Sequence, residues 1–105
     1  MRIIKIKTLE SFWEIHPDAE IALREWYVKV SKASWTKFDD IKRTFNSTDY
    51  VGNQRYVFNI KGNKYRIVAA IKFQIQILYI RFVGTHQEYD NIEAKKHLIY
   101  GKNNE

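Results

Sequence analysis

The segment Gly84-Thr85-His86-Gln87-Glu88-Tyr89-Asp90 holds the residues best suited to chemistry in this chain. On a helix, His86 and Tyr89 are three apart and share a side. Histidine exchanges a proton near neutral pH more readily than any other side chain. A tyrosine hydroxyl can orient a nucleophile or donate to a developing oxyanion. Lys64, Arg66 and Arg81 add three cations upstream. Guanidinium groups grip phosphate oxygens through paired N–H donors. Together these types suit proton transfer and charge neutralisation at a phosphodiester. By itself His-x-x-Tyr also fits a capping histidine and a packed tyrosine. A metal is not expected: cysteine is absent, His16, His86 and His97 are scattered, and the acids lack ligand spacing.

The elements that must position these residues follow from periodicity. Residues 2 to 6 are β-branched and read as an edge strand. Thr8 is placed to cap a helix whose apolar face is Leu9, Phe12, Trp13 and His16. Pro17 opens a second helix running to about Ser34, with Ala19, Ala22, Leu23, Trp26, Tyr27 and Val30 as its stripe. Thr36 and Asp39 offer a cap for a third helical segment over Phe38, Ile41 and Phe45. Residues 46 to 54 read as a loop. Strands follow at Arg55 to Ile60, Lys64 to Ile71 and Gln76 to Val83, with hairpin chemistry at Lys61-Gly62-Asn63. Thr85 caps a short terminal helix over His86 to Ala94. The fold class is therefore α+β. A short N-terminal strand and a three-stranded antiparallel meander form the sheet, with N-terminal helices on one face.

Strand alternation sorts the side chains. Tyr56, Phe58, Ile60, Tyr65, Ile67, Ala69, Ile71, Leu78, Ile80 and Phe82 should meet the helices. The opposite face should present Arg55, Asn59, Lys64, Arg66, Lys72, Tyr79 and Arg81, with no carboxylate among them. Val68 and Ala70 between the charges would leave a concave floor for a phosphodiester backbone. Arg55, Asn59, Lys72 and Tyr79 are expected RNA contacts, Tyr79 by stacking a base. An ordinary solvated sheet face is the plainer reading. The apolar positions on that face call for a cover, such as a partner protein. Trp13, Trp26 and Trp35 are expected in the core.

Composition sets the frame. The 105 residues fit one domain, and 45% hydrophobic and 15% aromatic content excludes a disordered chain. The formal charge of +6 favours polyanionic partners. No apolar leader or bilayer-length run is visible, so a cytoplasmic location without membrane attachment is expected.

The stretch from Tyr56 to Ile71, with Phe-Asn-Ile and Gly-Asn-Lys-Tyr-Arg, followed by Tyr79 to Asp90 with Thr-His-x-x-Tyr-Asp, closely resembles the HigB toxin family of type II toxin–antitoxin systems. The likeness is sharpest over residues 55 to 92. It implies a RelE-like fold over residues 1–105 and a ribosome-dependent mRNA endonuclease. It also implies a HigA-type antitoxin with a helix-turn-helix domain, through which alone DNA would be reached. By motif, Lys64, Arg66, Arg81, His86 and Tyr89 match the family's working positions. The tail after Ala94 departs from the pattern. RNA supplies its own 2′-hydroxyl nucleophile, so no cofactor is expected. A non-catalytic RNA- or ribosome-binding module would use the same basic face and leave RNA intact. A purely structural interaction protein fits the three cations less well.

Overall fold

The computed structural model describes the backbone of residues 1–95 and the side chains of residues 1–92; His97 and Tyr100 lie outside them. The order is β1 (Arg2–Ile4), α1 (Lys7–Ile15), a 3-10 turn (Pro17–Ala19), α2 (Glu20–Lys32), α3 (Phe38–Thr44), β2 (Asp49–Gly52), β3 (Arg55–Ile60), β4 (Tyr65–Lys72), a 3-10 turn (Phe73–Ile75), β5 (Ile77–Thr85) and α4 (His86–Lys95). The class is α+β, with a five-stranded mixed sheet ordered β1-β5-β4-β3-β2. β3, β4 and β5 form the expected antiparallel meander. β1 pairs parallel with β5, which the helical excursion between them permits. No helix among the described residues is long and apolar enough to cross a membrane.

The helix limits have local causes. Pro17 disfavours helical backbone at His16, so α1 stops at Ile15 and the chain re-enters through the 3-10 turn. Thr8 lies inside α1 rather than capping it; Ile6 holds the cap position without a side-chain bond. At α3, Thr36 N–H and Oγ both donate to Asp40 Oδ2, at 2.9 and 3.0 Å, so Asp40 rather than Asp39 completes that turn.

α1, α2 and α3 cover one face of the sheet, here the inner face. Leu9, Leu23, Trp26, Val30, Ile41, Phe58, Ile67, Ile71 and Leu78 are fully buried there. Trp26 and Trp35 lie in this core, and Trp13 packs at its margin under the Arg24 guanidinium.

Three sequence readings are corrected. Residues 46–54 are not all loop: β2 pairs Tyr50 with Tyr56 and Asp49 with Val57. Asp and Gly are poor strand formers, so this edge strand carries little local signal. Asp49 shares the outer face with Val57, so that face does hold a carboxylate. Second, Phe82 does not point to the helices. Ile80 pairs with Ala69, but Phe82 pairs with Val68, leaving Arg81 as an extra residue in β5. This bulge inverts the alternation beyond it. Phe82 moves to the outer face and Val83 to the inner core. Third, Val68 and Ala70 are not an open floor, since both are buried. Val68 is buried with Val57 and Tyr89, and Val51, Phe82 and Ile92 pack around them. The chain's own α4 supplies this cover, on the opposite side of the sheet from α1–α3.

Candidate active site

α4 is set on the sheet by its first turn. Thr85 Oγ accepts from Glu88 N–H at 3.1 Å, and Glu88 Oε1 accepts from Thr85 N–H at 2.8 Å. This reciprocal pair is a capping box, and it fixes the helix start. His86 N–H donates to the Lys64 carbonyl at 3.1 Å, tying that start to the beginning of β4. Gly84 lies opposite Arg66. A Cβ there would lie 2.4 Å from the tip of the Phe82 ring, so only glycine leaves room for it.

Arg66, His86 and Tyr89 come together. Arg66 is half-buried in β4, and its guanidinium sits 5.2 Å from the centre of the Tyr89 ring. The same guanidinium donates to Asn63 Oδ1 at 3.3 Å and lies 3.5 Å from His86 Nδ1. Arg66 Nε is buried without a hydrogen-bond partner among the described residues. His86 is exposed, with Asp90 Oδ2 at 3.8 Å from Nδ1. An Nδ1 that accepts from Arg66 leaves the neutral ring's proton on Nε2. Tyr89 is buried, 5% exposed, with its ring under the Arg66 guanidinium.

Arg81 is the bulge residue, half-buried, beside Phe82. Bulges re-aim the side chain they carry. Tyr79 is 38% exposed on the outer face, between Ile4 and Ala70. Asn59 lies opposite Arg66 and donates to the Ser47 carbonyl at 3.4 Å. Lys72 is exposed at the far end of β4, where its ammonium donates to Gln54 Oε1 at 2.6 Å.

Two expected residues sit differently. Arg55 has the outer-face parity, opposite Ala70, but is only 5% exposed and donates to the Asn53 carbonyl at 3.3 Å. Lys64 precedes β4 and turns to the sheet end, where its ammonium meets Asp18 Oδ2 at 2.5 Å. Tyr65 donates its hydroxyl to the other oxygen of Asp18 at 2.5 Å. These bonds, Lys64 first and Tyr65 second, hold the Asp18 carboxyl down at about 2. Lys64 is raised in turn, mainly by its bond to Asp18. Lys64 still borders His86: both line an open cleft with Asp18, Thr85 and Gln87.

Asp18, Asn63 and Asp90 were missed by the sequence reading. Asp90 was accessible as the i+4 neighbour of His86. Asp18 is 46 residues from Lys64, and no local pattern announces the pairing. Arg2 also joins the outer face, beside Ile77. Among the described residues, no three His, Cys, Asp or Glu side chains are grouped to hold a metal ion.

Comparison with known proteins bears on this arrangement. The family model described as HigB toxin, RelE-like toxic component of a toxin-antitoxin system, matches residues 19–92. The chain is 37% identical over 105 residues to the mRNA interferase toxin HigB of Escherichia coli strain K12, covering 97% of this chain and 99% of that protein. The chain belongs to the HigB toxin family. An mRNA interferase HigB from Shigella flexneri matches equally, at 37% over the same span. A more distant mRNA interferase HigB, from Escherichia coli O6:H1, is 24% identical over 94 residues, 88% of this chain and 91% of that one. The matched region of this HigB toxin contains α2–β5 and the first part of α4, and so includes Arg66, Arg81, His86 and Tyr89.

Proposed function

We propose that this HigB toxin is a ribosome-dependent mRNA endoribonuclease, cutting by in-line attack of the 2′-oxygen and needing no metal. The observation that carries the reading is the Arg66 guanidinium beside His86, at the rim of the outer face, with Arg81 at the bulge of the neighbouring strand β5. The family membership and the relatives named mRNA interferases support it.

The 2′-oxygen attacks the adjacent phosphorus and the P–O5′ bond breaks. The products are a 2′,3′-cyclic phosphate and a 5′-hydroxyl. Arg66 and Arg81 neutralise the charge that develops on the non-bridging oxygens. Tyr89 holds Arg66 through its ring. His86 transfers the proton, with Asp90 Oδ2 3.8 Å from its Nδ1. Lys64 lies near enough to His86 to help neutralise the RNA backbone, with Asp18 fixing its ammonium. Tyr79 and Lys72, with Asn59 and Arg55, extend the RNA track across the sheet, Arg55 acting from beneath the surface.

The protein acts in the cytoplasm and is neutralised by a HigA-type antitoxin carrying a helix-turn-helix domain, and it reaches DNA only through that partner. Expression of the chain alone, with mapping of mRNA 5′ ends, tests this reading. Growth arrest with new internal cuts in translated messages, lost in Arg81→Ala, is expected. A folded, soluble chain that binds ribosomes and produces no new ends would replace the nuclease by a binding module.

A further inference from the structure

A second cavity lies at the opposite end of the sheet from His86. It encloses about 320 Å³ between Tyr50, Gln54, Tyr56, Ile71, Lys72, Phe73, Gln74 and Ile75. Sites for small planar ligands begin near that size, roughly 300 Å³. Its aromatic groups touch: Tyr50 and Tyr56 have ring centres 5.0 Å apart, and Tyr56 meets Phe73 edge-on at 6.0 Å. Tyr50 is 52% exposed and Ile75 63%, so large apolar surface is left open at the mouth.

Polar groups surround that mouth. Gln54 is the second residue of the two-residue β2–β3 hairpin turn, in which Asn53 and Gln54 both take positive φ, +50° and +63°. That backbone puts its Oε1 on the Lys72 ammonium. Among the described residues, the amide NH₂ of Gln54 is left to donate. Gln74, exposed in the 3-10 turn, offers both a donor and an acceptor. An aromatic wall, two carboxamides and one ammonium match a nucleotide: ring to stack, base edge to bond, phosphate to neutralise.

We propose that this cavity takes one unpaired nucleobase of the bound RNA. The inference rests on the RNA-cleaving reading and adds a position to it. Lys72 is six residues along β4 from Arg66, about 20 Å at the usual rise. The base held here is therefore several nucleotides from the cleaved bond. Tyr56, Ile71 and Phe73 wall the cavity on the inner side of the sheet, so the RNA passes Tyr79 on the outer face and turns over the end of β4 at Lys72 to reach it.

A fully 2′-O-methylated single-stranded RNA dodecamer tests this without being cut. 2-Aminopurine is placed at each position in turn, and its fluorescence is read on the full, unaltered chain. Quenching at one position is expected. Loss of that quenching in both Tyr50→Ala and Gln54→Gly is also expected, the glycine keeping the positive φ. Affinity should fall about five- to a hundredfold in Tyr50→Ala, as for removal of one stacked base. A dodecamer that binds with steep salt dependence but shows no quenched position overturns the cavity and leaves the RNA reading standing. Unchanged quenching and affinity in the variants, with weakened neutralisation by the antitoxin, also overturns it and assigns the cavity to that protein. No binding of the dodecamer and no cleavage on ribosomes would remove the RNA reading itself.

Discussion

Replacing Gly84 by alanine probes the joint between the sheet and the helix that carries His86. The new methyl would lie 2.4 Å from the Phe82 ring tip and 2.7 Å from Glu88 Oε1. Neither atom can stay. Glu88 yields by rotating, but its carboxylate then leaves the Thr85 N–H, a lost cap that costs ~1 kcal/mol. The Phe82 ring is packed against the Val57, Val68 and Tyr89 cluster. Forcing it off Gly84 costs ~1–3 kcal/mol, as at other overpacked sites. The sum, ~2–4 kcal/mol, lowers the Tm of a domain this size by on the order of 10–20 °C. Glu88→Ala removes the cap without the clash and should cost only ~1 kcal/mol, or about 5 °C. Thermal unfolding followed by circular dichroism reads both. At temperatures where Gly84→Ala is folded, its cleavage rate should also be reduced, because His86 begins α4. A Gly84→Ala melt within about 3 °C of the parent would refute the argument that this close approach anchors the helix.

Other outcomes follow from the same geometry. Tyr89→Ala should lose ~3 kcal/mol or more of stability and most cleavage, because the ring fills a buried cluster and lies under Arg66. Tyr89→Phe keeps the ring, so it should remain within ~1.5 kcal/mol of the parent in urea melts and cut at a comparable rate. Asp18 has a folded pKa of about 2 against an ordinary 3.8, chiefly through its bond from Lys64. A depressed carboxyl pKa contributes stability that is present above the unfolded pKa and lost as pH falls. Asp18→Asn should therefore melt lower than the parent at neutral pH, and the two Tm values should converge as pH falls from about 4 to about 2. His86→Gln should flatten the pH dependence of single-turnover cleavage; an unchanged profile would take His86 out of proton transfer.

The meander was legible because its strands alternate cleanly and Lys61-Gly62-Asn63 marks the hairpin. The helix start at Thr85 was legible too, since a capping box is a local pattern. The inner core and the opposite parity of Arg55, Asn59, Arg66 and Tyr79 followed from the same alternation. That reasoning failed at Arg81. A bulge is a decision between two strands, and nothing within β5 marks the inserted residue. β2 was hidden because Asp49 and Gly52 resemble loop residues and their pairing lies with β3. The side of the sheet that α4 takes, and so the burial of Val57, Val68 and Tyr89, was equally non-local. Lys64 was misplaced because Asp18, on the helical layer, draws it to the sheet end.

The central claim is that Arg66 and His86, with Arg81, form an RNA-cutting site on the outer face. Single-turnover cleavage of mRNA on programmed ribosomes, with end-group analysis, tests it most directly. The parent should leave a 2′,3′-cyclic phosphate and a 5′-hydroxyl, and Arg66→Ala should cut ~10²–10³-fold more slowly while retaining its fold. Cleavage by Arg66→Ala at the parent's rate, or products with a 3′-hydroxyl and a 5′-phosphate, would contradict it.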